Sequence, residues 1–158
     1  EIEEQPGLNA EQRAMEQRYA AAVRADPEGF LRRYAELKDT AGGKIVNTDE
    51  ARELWHEYAA GPEARALHAR AVHEPSSWLA KVQWSKLLEP PIRTGRVLFL
   101  GGGGGSGKTS SLDDIEPGYA DRYDAIYDTT LANEKSAVKA IEQALASGRR
   151  VLWIMVIS

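Results

Sequence analysis

Apolar residues recur every three or four positions through the first half of the chain, and this is the period of helices that pack on a core. The first helix is predicted to begin after Asn9, which can form a capping box with Gln12. The second begins at Asp26-Pro27, since Asp26 can cap it and Pro27 suits a first turn. Three more helices are predicted: about 49–60 capped by Thr48, one from Pro62 to about 72, and one from Ser76 or Ser77 to the break at Glu89-Pro90-Pro91.

Continuous apolar runs with β-branched and aromatic residues follow at 96–100, 124–128 and 151–157, as in buried parallel strands. An amphipathic helix is predicted over 133–147, between the second and third runs. Strand, helix and strand with short connections predict a right-handed βαβ unit. We therefore predict an α/β fold, with a parallel sheet over 93–158 and an all-helical region over 1–92. The segment GGGGGSGKTS over 101–110, which contains the phosphate-loop spacing G-x-x-x-x-G-K-[ST], indicates a sheet of the P-loop NTPase or kinase type.

The sheet is expected to be incomplete. Phosphate-loop domains commonly contain more parallel strands than the candidates found here. The chain has no initiator methionine and stops at Ser158, directly after an apolar run. The sequence is therefore expected to be the front part of a longer protein, truncated at its C-terminus.

A glycine-rich segment, GGGGGSGKTS over 101–110, directly follows the first predicted strand. Gly102, Gly107, Lys108 and Thr109 match the phosphate-loop spacing G-x-x-x-x-G-K-[ST]. Glycine lets successive backbone N–H groups turn toward one cluster of phosphate oxygens without an intervening side chain. The nucleotide-binding residues predicted from this segment are Gly102, Gly103, Gly104, Gly105, Ser106, Gly107, Lys108, Thr109 and Ser110.

The alternative interpretation of a glycine run is a flexible spacer. The strand-like residues before the run and the Lys108-Thr109 pair at its end have no role in a spacer. The pattern therefore favours nucleotide binding, with ATP or GTP as the ligand, Lys108 as a positive charge on the phosphates and Thr109 as a hydroxyl ligand of Mg²⁺.

Asp128 is the second candidate, because it ends a predicted strand beside the phosphate loop, where ligand-facing side chains emerge in open α/β sheets. It could ligate Mg²⁺ or accept the proton of an acceptor hydroxyl. The alternative is a purely local role, in which Asp128 caps the turn toward Thr130 as an Asx motif.

Composition and charge limit the classes of partner that this chain is expected to bind. The chain has 158 residues, is 42% apolar and 28% charged, carries a formal net charge of −4 and has no cysteine, so disulfides are excluded. A mildly acidic chain without a stripe of Lys and Arg is not expected to bind nucleic acid. No apolar stretch is long enough to span a membrane, and no signal peptide is evident, so we expect a cytoplasmic protein.

Several motifs together resemble the zeta-toxin group of P-loop kinases. The resemblance rests on the phosphate loop, the Tyr127-Asp128-Thr129-Thr130-Leu131 segment, and the helix and apolar strand that follow it. Upstream, residues 43–52 and 73–77 resemble the helical lead-in of bacterial proteins of this kind. Only the phosphate loop is a specific motif, although the resemblance covers most of the chain from about residue 43.

The resemblance implies a magnesium-dependent phosphotransferase acting on a small molecule, with a nucleotide sugar such as UDP-N-acetylglucosamine as the acceptor. It implies that Lys108 holds the β- and γ-phosphates, that Thr109 helps to bind Mg²⁺, and that Asp128 lies on the substrate side. A protein antitoxin is a possible partner of such an enzyme.

The chain departs from the family pattern in two ways. The family carries a catalytic aspartate between the phosphate-loop helix and the next strand, and this interval is short here, with only Asp113, Asp114 and Asp121 as weak candidates. The lid arginines of the family lie downstream of the residues present. Because such an arginine contributes about 10³–10⁵ in rate, we expect this chain to bind nucleotide better than it turns it over.

Two alternatives remain open. In the first, the chain is a nucleotide-binding interaction module without catalysis, and residues 1–92 bind a protein partner. In the second, the helical region shields the nucleotide site as a built-in antitoxin. The kinase and both alternatives share one requirement, a phosphate-binding segment over residues 102–110.

Overall fold

The computed structural model describes residues 1–102, 116–129 and 134–155, and in these ranges most of the helices lie before residue 93. The helices are α1 (Ala10–Ala25), α2 (Pro27–Glu36), α3 (Thr48–Arg52), α4 (His56–Ala59), α5 (Pro62–Leu87) and α6 (Glu134–Ala146), with a 3₁₀ turn over Tyr119–Arg122. The strands are β1 (Ile45–Val46), β2 (Arg96–Gly101), β3 (Ala125–Asp128) and β4 (Arg150–Met155). None of the helices in this part of the chain combines the length and the apolar character needed to cross a bilayer.

The first two helices begin where their capping residues predict. The Asn9 side chain accepts a hydrogen bond from the Gln12 N–H at 2.8 Å, and the Gln12 side chain accepts one from the Asn9 N–H at 2.9 Å. Asp26 accepts from the Gly29 N–H at 3.0 Å, and Pro27 is the first residue of α2. Both predicted caps are therefore confirmed.

The predicted third helix is wrong in its continuity and in its cap. Asn47, not Thr48, caps α3, and the chain leaves the helix before Trp55, which has an extended backbone. The break allows the Trp55 indole to stack on the Tyr19 ring at a centroid distance of 4.6 Å, while the Tyr19 hydroxyl donates to the Ala51 carbonyl. Packing on α1 therefore outweighs the helical period of the local sequence.

The fourth and fifth predicted helices are in fact one 26-residue helix, α5, which continues through Pro75. A proline inside a helix removes one hydrogen bond and costs about 3 kcal/mol. Burial on both sides of Pro75 offsets that cost, since Val72 and Leu79 are 0% and 2% exposed. The sequence could not predict this, because the compensation comes from the other helices of the core.

All four strands are parallel, in the order β1-β3-β2-β4, so β2 lies inside the sheet with β3 on one side and β4 on the other. Residues 97–100 of β2 are completely buried. The predicted strands at 96–100 and 124–128 are confirmed to within one residue, and the third runs over Arg150–Met155, with residues 156–158 outside the described ranges. The α/β class is thus confirmed.

The prediction that residues 1–92 are all helical is wrong at Ile45–Val46, which form strand β1 and pair with Ile126 and Tyr127 of β3. A two-residue strand is too short to show a period in the sequence. In addition, Trp84 of α5 packs on the sheet, with its ring 5.5 Å from Phe99 and 5.1 Å from Tyr127. A boundary between residues 92 and 93 therefore cuts through one core.

A buried ion pair closes the amino edge of the sheet. Arg149 donates to Asp124 at 2.8 Å, and the two side chains are 1% and 4% exposed. Arg149 also donates to the Leu88 carbonyl, and Asp124 accepts from the Thr94 N–H at 2.7 Å. Burial alone would raise the pKa of Asp124, but the hydrogen bonds from Thr94, Arg149 and Gly95 hold this pKa well below its usual range.

We predict that Arg149→Met destabilises the protein by about 3–5 kcal/mol, because it leaves the Asp124 carboxylate buried without its partner. Urea denaturation followed by circular dichroism measures the change. Arg150→Met, at the exposed neighbouring position, is the control and should change the free energy of unfolding by less than about 0.5 kcal/mol. Equal effects of the two substitutions would contradict the structural role assigned to Arg149.

Candidate functional site

The phosphate-loop motif begins at the carboxyl end of β2. Gly101 is the last residue of this strand, and Gly102 follows it with a φ of 154°, in a region that is essentially restricted to glycine. A Cβ on Gly101 would lie 2.5 Å from the Sδ atom of Met155. The backbone conformation therefore favours glycine at Gly102, whereas a side chain at Gly101 would require the exposed Met155 side chain to move.

The remaining predicted phosphate-binding residues lie outside the described ranges: Gly103, Gly104, Gly105, Ser106, Gly107, Lys108, Thr109 and Ser110. The same holds for Asp113 and Asp114. Asp121 is described, and it is exposed in the 3₁₀ turn that precedes the amino end of β3. Because the strands are parallel, this places Asp121 away from the carboxyl edge where the motif begins.

Asp128 ends β3 and pairs in register with Leu100, directly beside the start of the motif. The Thr129 N–H donates to the Leu100 carbonyl at 3.0 Å, so the two chains remain joined at this edge. The structure thus brings Asp128 next to Gly101 and Gly102, as the sequence analysis expected of it. Thr130, the target of the alternative Asx turn, is outside the described residues.

Asn47 is a residue of this edge that the sequence analysis missed. Val46 pairs in register with Tyr127, which places Asn47 level with Asp128 on the neighbouring strand. The Asn47 Nδ2 atom donates to the Asp128 Oδ2 atom at 3.2 Å. The signal in the sequence was a β-branched pair, Ile45-Val46, followed at once by polar residues, which is also the pattern at the end of β3.

Negative charges gather beside Asp128. Glu50, in the first turn of α3, is half-buried, and its pKa is raised to about 7, first by burial and then by the charges of Asp39, Glu53, Asp49 and Asp128. Arginines offset part of this charge, since Arg52 lies 3.5 Å from Asp49 and Arg65 lies 2.7 Å from Glu53. The remaining negative charge favours a cation or a hydroxyl donor at this edge of the sheet. It is also unfavourable for phosphate oxygens unless a positive charge accompanies them.

No protein-family model and no curated protein matches this chain. Membership of the zeta-toxin group therefore stays a prediction based on the residue patterns. The functional interpretation rests on the carboxyl edge itself, where Gly101, Gly102, Asp128 and Asn47 come together from three strand ends.

Within the described ranges, no group of three or more His, Asp or Glu side chains is arranged to hold a metal ion. Mg²⁺ commonly uses only one or two carboxylates and takes its other ligands from water and substrate phosphates. Asp128 is a residue of the required type at the required edge. A magnesium site of this sparse kind is therefore compatible with the described residues.

We predict that Glu50→Gln stabilises the protein at about pH 8 by about 1 kcal/mol, a value reduced for the partial exposure of this side chain. The folded-state pKa of Glu50 is raised to about 7 from an ordinary value of 4.5, so this group's contribution to stability is full below about 4.5 and is lost as the pH rises through 7. The stabilisation by glutamine should therefore vanish at about pH 4.

Urea denaturation at the two pH values measures this difference. Glu142→Gln, on the exposed face of α6, is the control and should show no such pH dependence. A Glu50→Gln variant that is no more stable than the unaltered chain at the higher pH would contradict the prediction.

Proposed function

We propose that this chain binds a magnesium nucleoside triphosphate, ATP or GTP, through residues 102–110. The observation that carries the proposal is that G-x-x-x-x-G-K-T begins at the carboxyl end of an interior strand of a parallel sheet. In open α/β sheets, ligands bind outside the carboxyl ends of the strands. The φ of Gly102 supports the proposal, because the chain already leaves the strand in a conformation suited to glycine.

In this proposal the backbone N–H groups of residues 102–110 hold the phosphate oxygens, and the Lys108 ammonium offsets their charge. Thr109 would hold Mg²⁺ directly and Asp128 would hold it through a bound water, so that the Asp128 carboxylate keeps its basicity. When bound, Mg²⁺ would supply further charge neutralisation. The positive charge of Lys108 would also offset the negative charges of Glu50 and Asp128.

We further propose that the reaction is phosphoryl transfer to a small molecule, as in the zeta-toxin group. The acceptor oxygen would attack the γ-phosphorus in line, as the bond from this phosphorus to the β,γ-bridging oxygen breaks. The hydroxyl proton would pass to the Asp128 carboxylate, which also orients the hydroxyl. The resemblance suggests a nucleotide sugar such as UDP-N-acetylglucosamine as the acceptor, and cytoplasm, where nucleoside triphosphates are abundant, as the location.

Packing of the helical half supports the enzyme over an interaction module. The apolar faces of α1, α2 and α5 are buried against one another, in a core that includes Tyr19, Leu31 and Val72. Among the large apolar residues of 1–92, those exposed are Leu67 and Ile92. The helices therefore use their apolar faces within the chain and leave little of them for a protein partner.

We predict that Lys108→Ala weakens the binding of magnesium ATP by a factor of about 10 to 100, which corresponds to about 1.4–2.7 kcal/mol of binding free energy. The physical reason is the loss of the ammonium group from the phosphates. Isothermal titration calorimetry with ATP, and separately with GTP, measures the dissociation constants.

Lys139→Ala, on an exposed position of α6, is the matched control and should leave the affinity unchanged. If the unaltered chain gave no heat of binding with either nucleotide, the proposed function would be wrong. Transfer of the γ-phosphate to UDP-N-acetylglucosamine tests the kinase reaction separately, since a chain that binds ATP and transfers nothing fits the interaction module.

A further inference from the structure

We propose that Asn47 is a positioning residue, which orients the Asp128 carboxylate toward the acceptor hydroxyl. This inference rests on the proposed kinase function and extends it. Asn47 comes from the segment that leads into α3, 81 residues before Asp128 in the chain. The segment before α3 would then supply a functional residue of the site in addition to structural support.

The Asn47 side chain has a defined orientation because both ends of its amide are in use. Oδ1 accepts a hydrogen bond from the Asp49 N–H at 2.8 Å, which caps α3. Nδ2 therefore points to the other side, where it donates to Asp128 Oδ2 at 3.2 Å. A carboxylate only accepts and a backbone N–H only donates, so the two contacts assign the amide without ambiguity.

The backbone of Asn47 is held as firmly as its side chain. The Asn47 N–H donates to the Tyr34 hydroxyl at 2.9 Å, and this hydroxyl donates to the Ile45 carbonyl at 2.7 Å. Tyr34 is 2% exposed, and burial raises the pKa of its hydroxyl well above the ordinary value, which favours the protonated form. Hydrogen bonds that involve α2 and β1 therefore fix the position of the residue that donates to Asp128.

The hydrogen bond from Asn47 opposes an electrostatic repulsion on the Asp128 carboxylate. Glu50 lies at the start of α3, close enough for its charge and that of the Asp128 carboxylate to repel each other. The side-chain Nδ2–H of Asn47 attracts the Asp128 Oδ2 atom and holds it toward β1. A small displacement of a group that contacts the reacting atoms costs up to about a hundredfold in rate.

The experiment uses Asn47→Ser in the full chain. Serine is also a good N-cap and can keep the bond from the Asp49 N–H, but its side chain is too short to reach Asp128 as the amide does. We expect an unchanged melting temperature and magnesium ATP affinity. The rate constant for γ-phosphate transfer, measured both to water and to UDP-N-acetylglucosamine, should fall about tenfold to a hundredfold.

Asn47→Asp is the second variant. It keeps the cap and the shape of the side chain, but it replaces the donor with a carboxylate that faces Asp128. Its transfer rate should be lower than that of the serine variant, again with ATP affinity retained. In an Asp128→Ala background, Asn47→Ser should have no further effect on the rate, because Asn47 acts through Asp128.

The outcomes separate this inference from the proposed function. If Asn47→Ser lowers the melting temperature and the ATP affinity as well as the transfer rate, the role of Asn47 is purely structural and the inference is wrong. An unchanged transfer rate in this variant would also overturn the inference. ATP binding without any transfer by the unaltered chain would also overturn it, since Asp128 would then have no step to assist. Absence of ATP binding would overturn the proposed function, and with it this inference.

Discussion

The interior position of β2 is the constraint on which the rest of the structure depends. A parallel strand has to be paired on both sides and covered on both faces. Val97 and Phe99 face the layer of α5 and α6, where the Trp84 ring meets Phe99 and the indole N–H donates to the Ala140 carbonyl. Leu98 and Leu100 face the opposite side and pack with Ile45, Ile126 and Tyr119. The helical half and the sheet are therefore parts of one structure.

The same constraint gathers the candidate site. Because β1, β3 and β2 run in one direction, their ends bring Asn47, Asp128 and Gly102 to a single edge, although these residues are far apart in the chain. The opposite edge is closed by the Arg149–Asp124 pair, which is buried and fully engaged with backbone groups. The amino edge of the sheet thus carries stabilising contacts. The carboxyl edge carries glycine, a carboxylate and an amide, which can take part in ligand binding and proton transfer.

Local patterns were sufficient wherever the physical cause is local. The caps at Asn9 and Asp26 depend on side chains three residues from the N–H groups that they bind, and the confirmed strands have enough consecutive apolar residues to reveal burial. The patterns failed at β1, at the break before Trp55 and at Pro75 inside α5. In each case a distant partner decides the conformation: the edge of β3, the Tyr19 ring, and the core around α5.

For the candidate site, the amino-acid sequence by itself determined the phosphate-loop spacing after an apolar strand and marked Asp128 as a carboxylate at a strand end, since both depend on residues adjacent in the chain. Only the tertiary structure decided that Asn47 is a hydrogen-bond partner of Asp128 and that Glu50 lies among neighbouring carboxylates. Strand order produces these contacts, and strand order depends on which distant segments bury one another. No local pattern of residues encodes that choice.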